Sequence, residues 1–106
     1  MKSSVIKALQ NLSDKENELF VKVIEHGSMS VELYKPLNID PQTPHKQDEL
    51  YVIINGSGEF QLDGNRSTFQ QGDIIFVPAG ADHRFENFTD DFATWAIFYG
   101  PEGGEK

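Results

Sequence analysis

The 106-residue sequence predicts an all-β domain, an antiparallel sandwich or barrel with a short N-terminal helix. Three observations carry that prediction. About eight short β-branched or aromatic runs recur at regular spacing. Turns rich in Gly, Asn and Asp separate them, and no helix-period segment lies between them to make a parallel crossover.

Ser3-Ser4 ahead of Val5, Leu9 and Leu12 supplies a cap and an i, i+4, i+7 apolar stripe, so residues 4–12 read as a helix packed outside a sheet. Leu19 to Glu25 reads as the first strand. His26-Gly27-Ser28 is a turn, which leaves His26 solvated, and Met29, Val31 and Leu33 then alternate with Ser30, Glu32 and Tyr34. Pro36 to Pro44 is a polar loop. Thr43 to Glu49 imitates a helix start, with a cap, an early proline and acids. Its continuation argues otherwise: Leu50 to Ile54 is strongly strand-forming, and Asn55-Gly56-Ser57-Gly58 turns the chain into Glu59 to Leu62. Asp63-Gly64-Asn65 leads to a strand over Arg66 to Phe69. Gly72-Asp73 opens Ile74 to Val77, Pro78-Ala79-Gly80 bends the chain, and a strand carrying His83 follows. Phe92 to Tyr99 is the last strand. Gly100 to Gly104 is a terminal loop, mobile unless docked. The expected organisation is a helix and lead-in over 1–18, one β domain over 19–100 and a tail over 101–106.

Composition narrows the function. The absence of cysteine removes disulfides, thiolate metal sites and cysteine nucleophiles, so any ion must be held by nitrogen and oxygen. A formal net charge of −8 opposes binding to nucleic acid, whose phosphates are met by Lys and Arg. No apolar run approaches the roughly 20 residues of a membrane span. The N-terminus lacks a secretory pattern, and a cytoplasmic location is expected.

His45 and Glu49 are four residues apart. On a straight strand that is about 13 Å, too far to share an ion. Either they do not cooperate or the chain bends between them, and Lys46-Gln47-Asp48 is where a bend would fall. Gly72, Pro78, Gly80, His83 and Asn87 form the spacing G-x5-P-x-G-x2-H-x3-N, while His45, Glu49 and Gly56 fit part of G-x5-H-x-H-x3/4-E-x6-G. This pair resembles the two motifs of the cupin superfamily and covers about residues 38 to 87. The second motif is complete. In the first, Thr43 stands where the first histidine of the family pattern falls.

The resemblance implies a small single-domain cupin, a double-stranded β-helix or jelly-roll barrel, with a divalent ion held by His45, Glu49 and His83. Fe(II) suits two imidazoles and a carboxylate, and Mn(II), Ni(II), Cu(II) and Zn(II) are compatible. The other reading is a metal-free barrel in which both histidines are hydrogen-bonded pocket residues. Thr43, and more weakly Gln47, are candidates to hold a metal-bound water. Counting by twos along the strands turns Tyr51, Ile53 and Phe85 inward, with Phe76 as a wall and Trp95 closing the barrel. Each of these rings has ordinary core packing as its alternative. Tyr51 is a candidate proton donor if it points inward. Such a pocket suits a small, partly apolar molecule that chelates through a carboxylate or hydroxy-ketone. The function expected is binding or transforming such a molecule, by oxygenase or isomerase type chemistry, or else non-catalytic binding and sensing. A homodimer is expected, with the Phe92 to Tyr99 and Leu19 to Glu25 strands as candidate contacts.

Overall fold

The computed structural model describes residues 1–15 and 17–106; Glu16, within the expected lead-in, lies outside them. Helix α1 (Val5–Ser13) starts where the sequence places its cap, with Ser4 Oγ accepting from the Lys7 amide at 3.2 Å. Strands β1 (Phe20–His26), β2 (Met29–Tyr34), β3 (Asp48–Asn55), β4 (Ser57–Leu62), β5 (Asn65–Gln70), β6 (Ile74–Val77), β7 (His83–Glu86) and β8 (Ala93–Tyr99) follow. They form a five-stranded sheet in the order β1-β2-β8-β3-β6 and a three-stranded sheet in the order β5-β4-β7, with every pairing antiparallel. This is the jelly-roll arrangement that the motif resemblance implies, and the antiparallel β architecture that the strand pattern predicts.

Register determines which side chains meet between the sheets. On the large sheet, Thr94 and Ala96 of β8 lie level with Ile53 and Tyr51 of β3, and Ala96 also lies level with Glu32 of β2. On the small sheet, Phe60 of β4 pairs with Phe85 of β7, and Leu62 with His83. Phe60, Phe69, Phe85, Phe92 and Tyr51 are all buried in one cluster. Their rings tilt against one another, Phe85 lying 4.7 Å from Phe92 and 4.8 Å from both Tyr51 and Phe60. The other face of the large sheet carries a second cluster, in which α1 buries Ala8 and Leu12 against Val21 and Leu33.

These two clusters correct two expectations about the pocket walls. Trp95 packs with the cluster beneath α1, outside the barrel, because its neighbours Thr94 and Ala96 take the inward positions on β8. Phe76 points outward and is 48% exposed, while Val77 on the same strand is buried. Val77 and Ile75 take the inward positions on β6, so Phe76 between them faces out. Phe85, Tyr51 and Ile53 do face inward. Glu86 pairs with Arg66 through Arg66 Nε at 3.0 Å, and Arg84 is exposed.

The tail is docked. Gly103 N donates to Lys46 O at 2.7 Å and Glu105 N to Asp48 Oδ2 at 2.9 Å. Gly104 is required there on two counts: its φ is +89°, and a Cβ would stand 2.8 Å from Asp48 Oδ1.

Phe85→Ala should destabilise the fold by about 3–5 kcal/mol, because it opens a void at the centre of the ring cluster. Arg84→Ala, on the same strand but outward, should change stability by no more than about 0.5 kcal/mol. Urea unfolding of both variants is the check.

Candidate metal centre

The separation between His45 and Glu49 is resolved by a bend. His45 lies in the loop before β3, the chain bends at Lys46-Gln47, and β3 begins at Asp48. Five hydrogen bonds hold the bend. Gly80 N donates to His45 O at 2.7 Å, and the tail amide of Gly103 caps Lys46 O. Gln47 Nε2 donates to Ser28 O at 2.8 Å and to Gly100 O at 2.9 Å. Asp48, buried, accepts from Ala79 N at 2.9 Å. His45 Nε2 therefore reaches to 3.4 Å from Glu49 Oε1, where a straight strand would keep the residues about 13 Å apart. His83, at the first position of β7, brings its Nε2 to 3.4 Å from the same oxygen. Ligand atoms of His45, Glu49 and His83 all lie within 4.8 Å of one another, the one such group among the described residues. His26 is exposed at the end of β1.

The protonation pattern tests whether an ion fits. His83 Nδ1 lies 3.0 Å from the carbonyl of Ala81, which only accepts, so this nitrogen carries the hydrogen. In the neutral ring Nε2 is then a bare lone pair facing a carboxylate oxygen. Two acceptors facing each other in a buried site need a proton or a cation between them. Glu49 and His83 are buried, yet both carboxylate oxygens of Glu49 and Nε2 of His83 lack any hydrogen-bond partner. Two donors bonded at about 2.1 Å to one ion stand roughly 3 to 3.5 Å apart, which matches both contacts to Glu49. Anchoring of the distal nitrogen by a backbone carbonyl is also what a ligating imidazole requires. The residues present fit a divalent cation.

The two imidazoles are tuned in opposite directions. Burial depresses the His45 pKa below its ordinary value, and the His83 ring adds to that, although Glu49 and Asp40 oppose it. Burial also works against the charged form of His83, but Glu49, the Ala81 carbonyl and Asp40 together outweigh it and raise its pKa.

Sequence reasoning missed the residues that brace the site. Asp40 is buried in the loop between β2 and β3 and accepts from Tyr34 Oη at 2.5 Å, Gln42 N at 3.2 Å, Gln42 Nε2 at 2.8 Å and the Phe85 amide at 2.8 Å. It ties the loop to both sheets. Gln42 is thereby oriented with Oε1 toward the site, accepting from Tyr51 Oη at 2.7 Å and lying 3.2 Å from His45 Nε2. An ion held at that nitrogen would take the place of the Gln42 contact. Tyr51, the candidate proton donor, thus has its hydroxyl hydrogen committed to Gln42. Burial first, and the Glu49 charge second, keep its pKa well above the ordinary phenol value. Thr43 is exposed at the rim, one position away from the inward-turned Gln42, and Gln47 spends its amide on the bend. A turn-like Asp-Pro-Gln in a polar loop carries no periodic signal that would have singled out Asp40 or Gln42.

A cavity of about 660 Å³ opens beside this group, lined by the exposed Thr43 and Lys46 and by Glu32, Tyr34, Glu49 and Phe98. Its size is that of a small-molecule site.

A family model for the cupin domain matches residues 30–99, and the chain belongs to that family. An uncharacterized protein of Streptomyces coelicolor is 29% identical over 85 residues, covering 78% of this chain and 81% of the relative. A gentisate 1,2-dioxygenase of a Streptomyces species is 25% identical over 67 residues, 62% of this chain and 19% of the enzyme, so the chain spans about a fifth of that relative. Among solved structures, a cupin 2 conserved barrel domain protein from Salinispora arenicola superimposes with a TM-score of 0.64 and 20% identity, over 76% of this chain and 74% of that one. That likeness concerns the fold alone. No helix among the described residues is long and apolar enough to cross a membrane.

With metal removed, the two histidines should give opposite pH signatures. The raised pKa of His83 gives a stabilisation that is complete below about pH 6.5 and lost as pH rises through the folded-state value. The lowered pKa of His45 gives the reverse, a stabilisation that fades as pH falls through the folded-state value. The stability lost in His83→Gln should therefore be larger at pH 5.5 than at pH 8 on the order of the usual histidine range, and the ordering should invert for His45→Gln. Urea unfolding in EDTA at the two pH values measures both.

Proposed function

We propose that His45, Glu49 and His83 bind a divalent metal ion and that the cavity beside them takes a small organic molecule that chelates it. The observation that carries this reading is the orphaned polar group: Glu49 Oε1, Glu49 Oε2 and His83 Nε2 are buried without a partner and converge on one point. A half-satisfied buried cluster of this kind is costly unless a proton or a cation completes it, and a cation also engages the second Glu49 oxygen that a single proton leaves bare. An ion held by two imidazoles and a carboxylate supplies Lewis acidity and up to three open positions for water, dioxygen or a chelating ligand. Fe(II) suits the donor set best, and the distant gentisate 1,2-dioxygenase likeness favours oxygenase chemistry over isomerisation. Phe98, edge-on to His45 at 4.8 Å, and Tyr34 shape the apolar part of the wall, while Gln42 and Tyr51 hold a neutral hydrogen-bonded pair beside the ion.

The same reading includes self-association. β8 is flanked by β2 and β3 on its two edges, so it has no free edge for pairing between chains. β1 keeps one. The more persuasive surface is the outer face of the large sheet at β6, where Ile74 is 68% and Phe76 48% exposed, level with Val52 and Leu50 of β3. A second copy covering this strip would form a homodimer of two jelly rolls back to back.

Protein purified without a histidine tag should carry about one divalent ion per chain by elemental analysis, and His83→Ala and Glu49→Ala should lose most of it. Equal metal content in the three proteins would sink the site. With Fe(II) supplied, oxygen uptake with a panel of small aromatic carboxylates and diketones separates turnover from binding alone. For the interface, light scattering should give a dimer mass for the wild type and a monomer mass for Phe76→Glu with unchanged circular dichroism.

A further inference from the structure

Glu32 is the charged group of the cavity that nothing above uses. It lies on β2, level with Lys22 of β1 on one side and Ala96 of β8 on the other, and Ala96 is level with Tyr51. Glu32 therefore shares the inner face with the metal centre, about 10 Å of backbone across the sheet from Tyr51. It bounds the same cavity as Glu49 and His45. No hydrogen bond or ion pair reaches it among the described residues. Lys22 offsets part of its charge, but its Nζ is directed at Glu25, 3.8 Å away.

We infer, on the metal-centre reading, that Glu32 is the second anchor of the bound molecule and that the ligand carries a cationic nitrogen at the end remote from its chelating group. The charged groups around the cavity favour this polarity. Glu18, Glu32 and Glu49 bound it against Lys46 at the mouth and the His45 ring. Once Glu49 is engaged with a metal, Glu32 is the remaining negative group on the inner sheet face. A half-buried carboxylate without a partner is destabilised by desolvation, and an ammonium entering the cavity relieves that cost. Burial raises its pKa, Lys22 lowers it in part, and Glu49 adds to the rise. An anionic arm at this position would meet repulsion instead. The distance across the sheet suits a molecule of one ring or a short chain between its two polar ends.

Two probes separate the poles. 4-Ethylcatechol and dopamine offer the same chelating diol and differ in the ammonium at the end of the side chain. Protein loaded with Ni(II), with metal content measured first, is titrated anaerobically with each by calorimetry. The wild type should bind dopamine about tenfold more tightly than 4-ethylcatechol. Glu32→Gln should erase that preference while keeping the metal content and the 4-ethylcatechol affinity of the wild type. Equal affinity of the wild type for the two probes overturns the inference, as does a preference that survives in Glu32→Gln. Loss of metal from Glu32→Gln also overturns it, since Glu32 would then act on the centre itself. Wild-type protein that takes up no Ni(II) refutes the metal-centre reading, and with it this one; bound Ni(II) that ignores both diols overturns this inference and leaves the metal site standing.

Discussion

Everything at the site depends on the bend at Lys46-Gln47, because a strand that ran straight through it would carry His45 away from Glu49. Three separate parts of the chain hold that bend: the turn after β6 through Gly80, the turn after β1 through the Ser28 carbonyl, and the tail through Gly103. Asp48 joins two of them, accepting from Ala79 and from Glu105. None of these contacts is local in sequence. A loop of this kind is positioned by the scaffold it closes onto, which is how a polar segment can be rigid enough to present a ligand.

The barrel interior is divided along its length. At one end Phe60, Phe69, Phe85 and Phe92 fill the space between the sheets. At the other the same faces carry His83, Glu49, Glu32 and Tyr34. The aromatic end provides the apolar burial that holds the sheets together, and the polar end carries groups whose desolvation is unfavourable. Asp40 sits where the two meet. Its carboxylate links Tyr34 on one sheet to the Phe85 amide on the other, so the loop that bears Gln42 and His45 is anchored in the core instead of lying over it.

Much of the fold was legible because it rests on local rules. The Ser4 cap, the alternation on β2, the Asn55-Gly56 turn and the Gly72 to Asn87 stretch each report their conformation through neighbours in sequence. Motif spacing singled out His45, Glu49 and His83, and the structure brings those three together. The walls were harder. Phe76 and Trp95 were expected inside because rings usually go inward, yet on this sheet both faces are apolar in part, since α1 covers one of them. The pattern on β2 shows the same thing from the other side: its polar residues Ser30 and Glu32 face the cavity, while Leu33 packs beneath the helix. When both faces of a strand are covered, hydrophobic alternation no longer says which side is the interior.

From its own residues, then, this sequence determined the class of fold, the number and order of its strands, and the types of donor atom available, with sulfur excluded. Those properties follow from turn chemistry, periodicity and composition, all of which act over a few residues. Only the tertiary structure decided that His45 and Glu49 converge, that Gln42 and not Thr43 turns toward them, that Asp40 braces their loop and that Glu32 lines the cavity beside them. Each depends on contacts between segments tens of residues apart, where the partner that orients a side chain leaves no mark on its sequence neighbours.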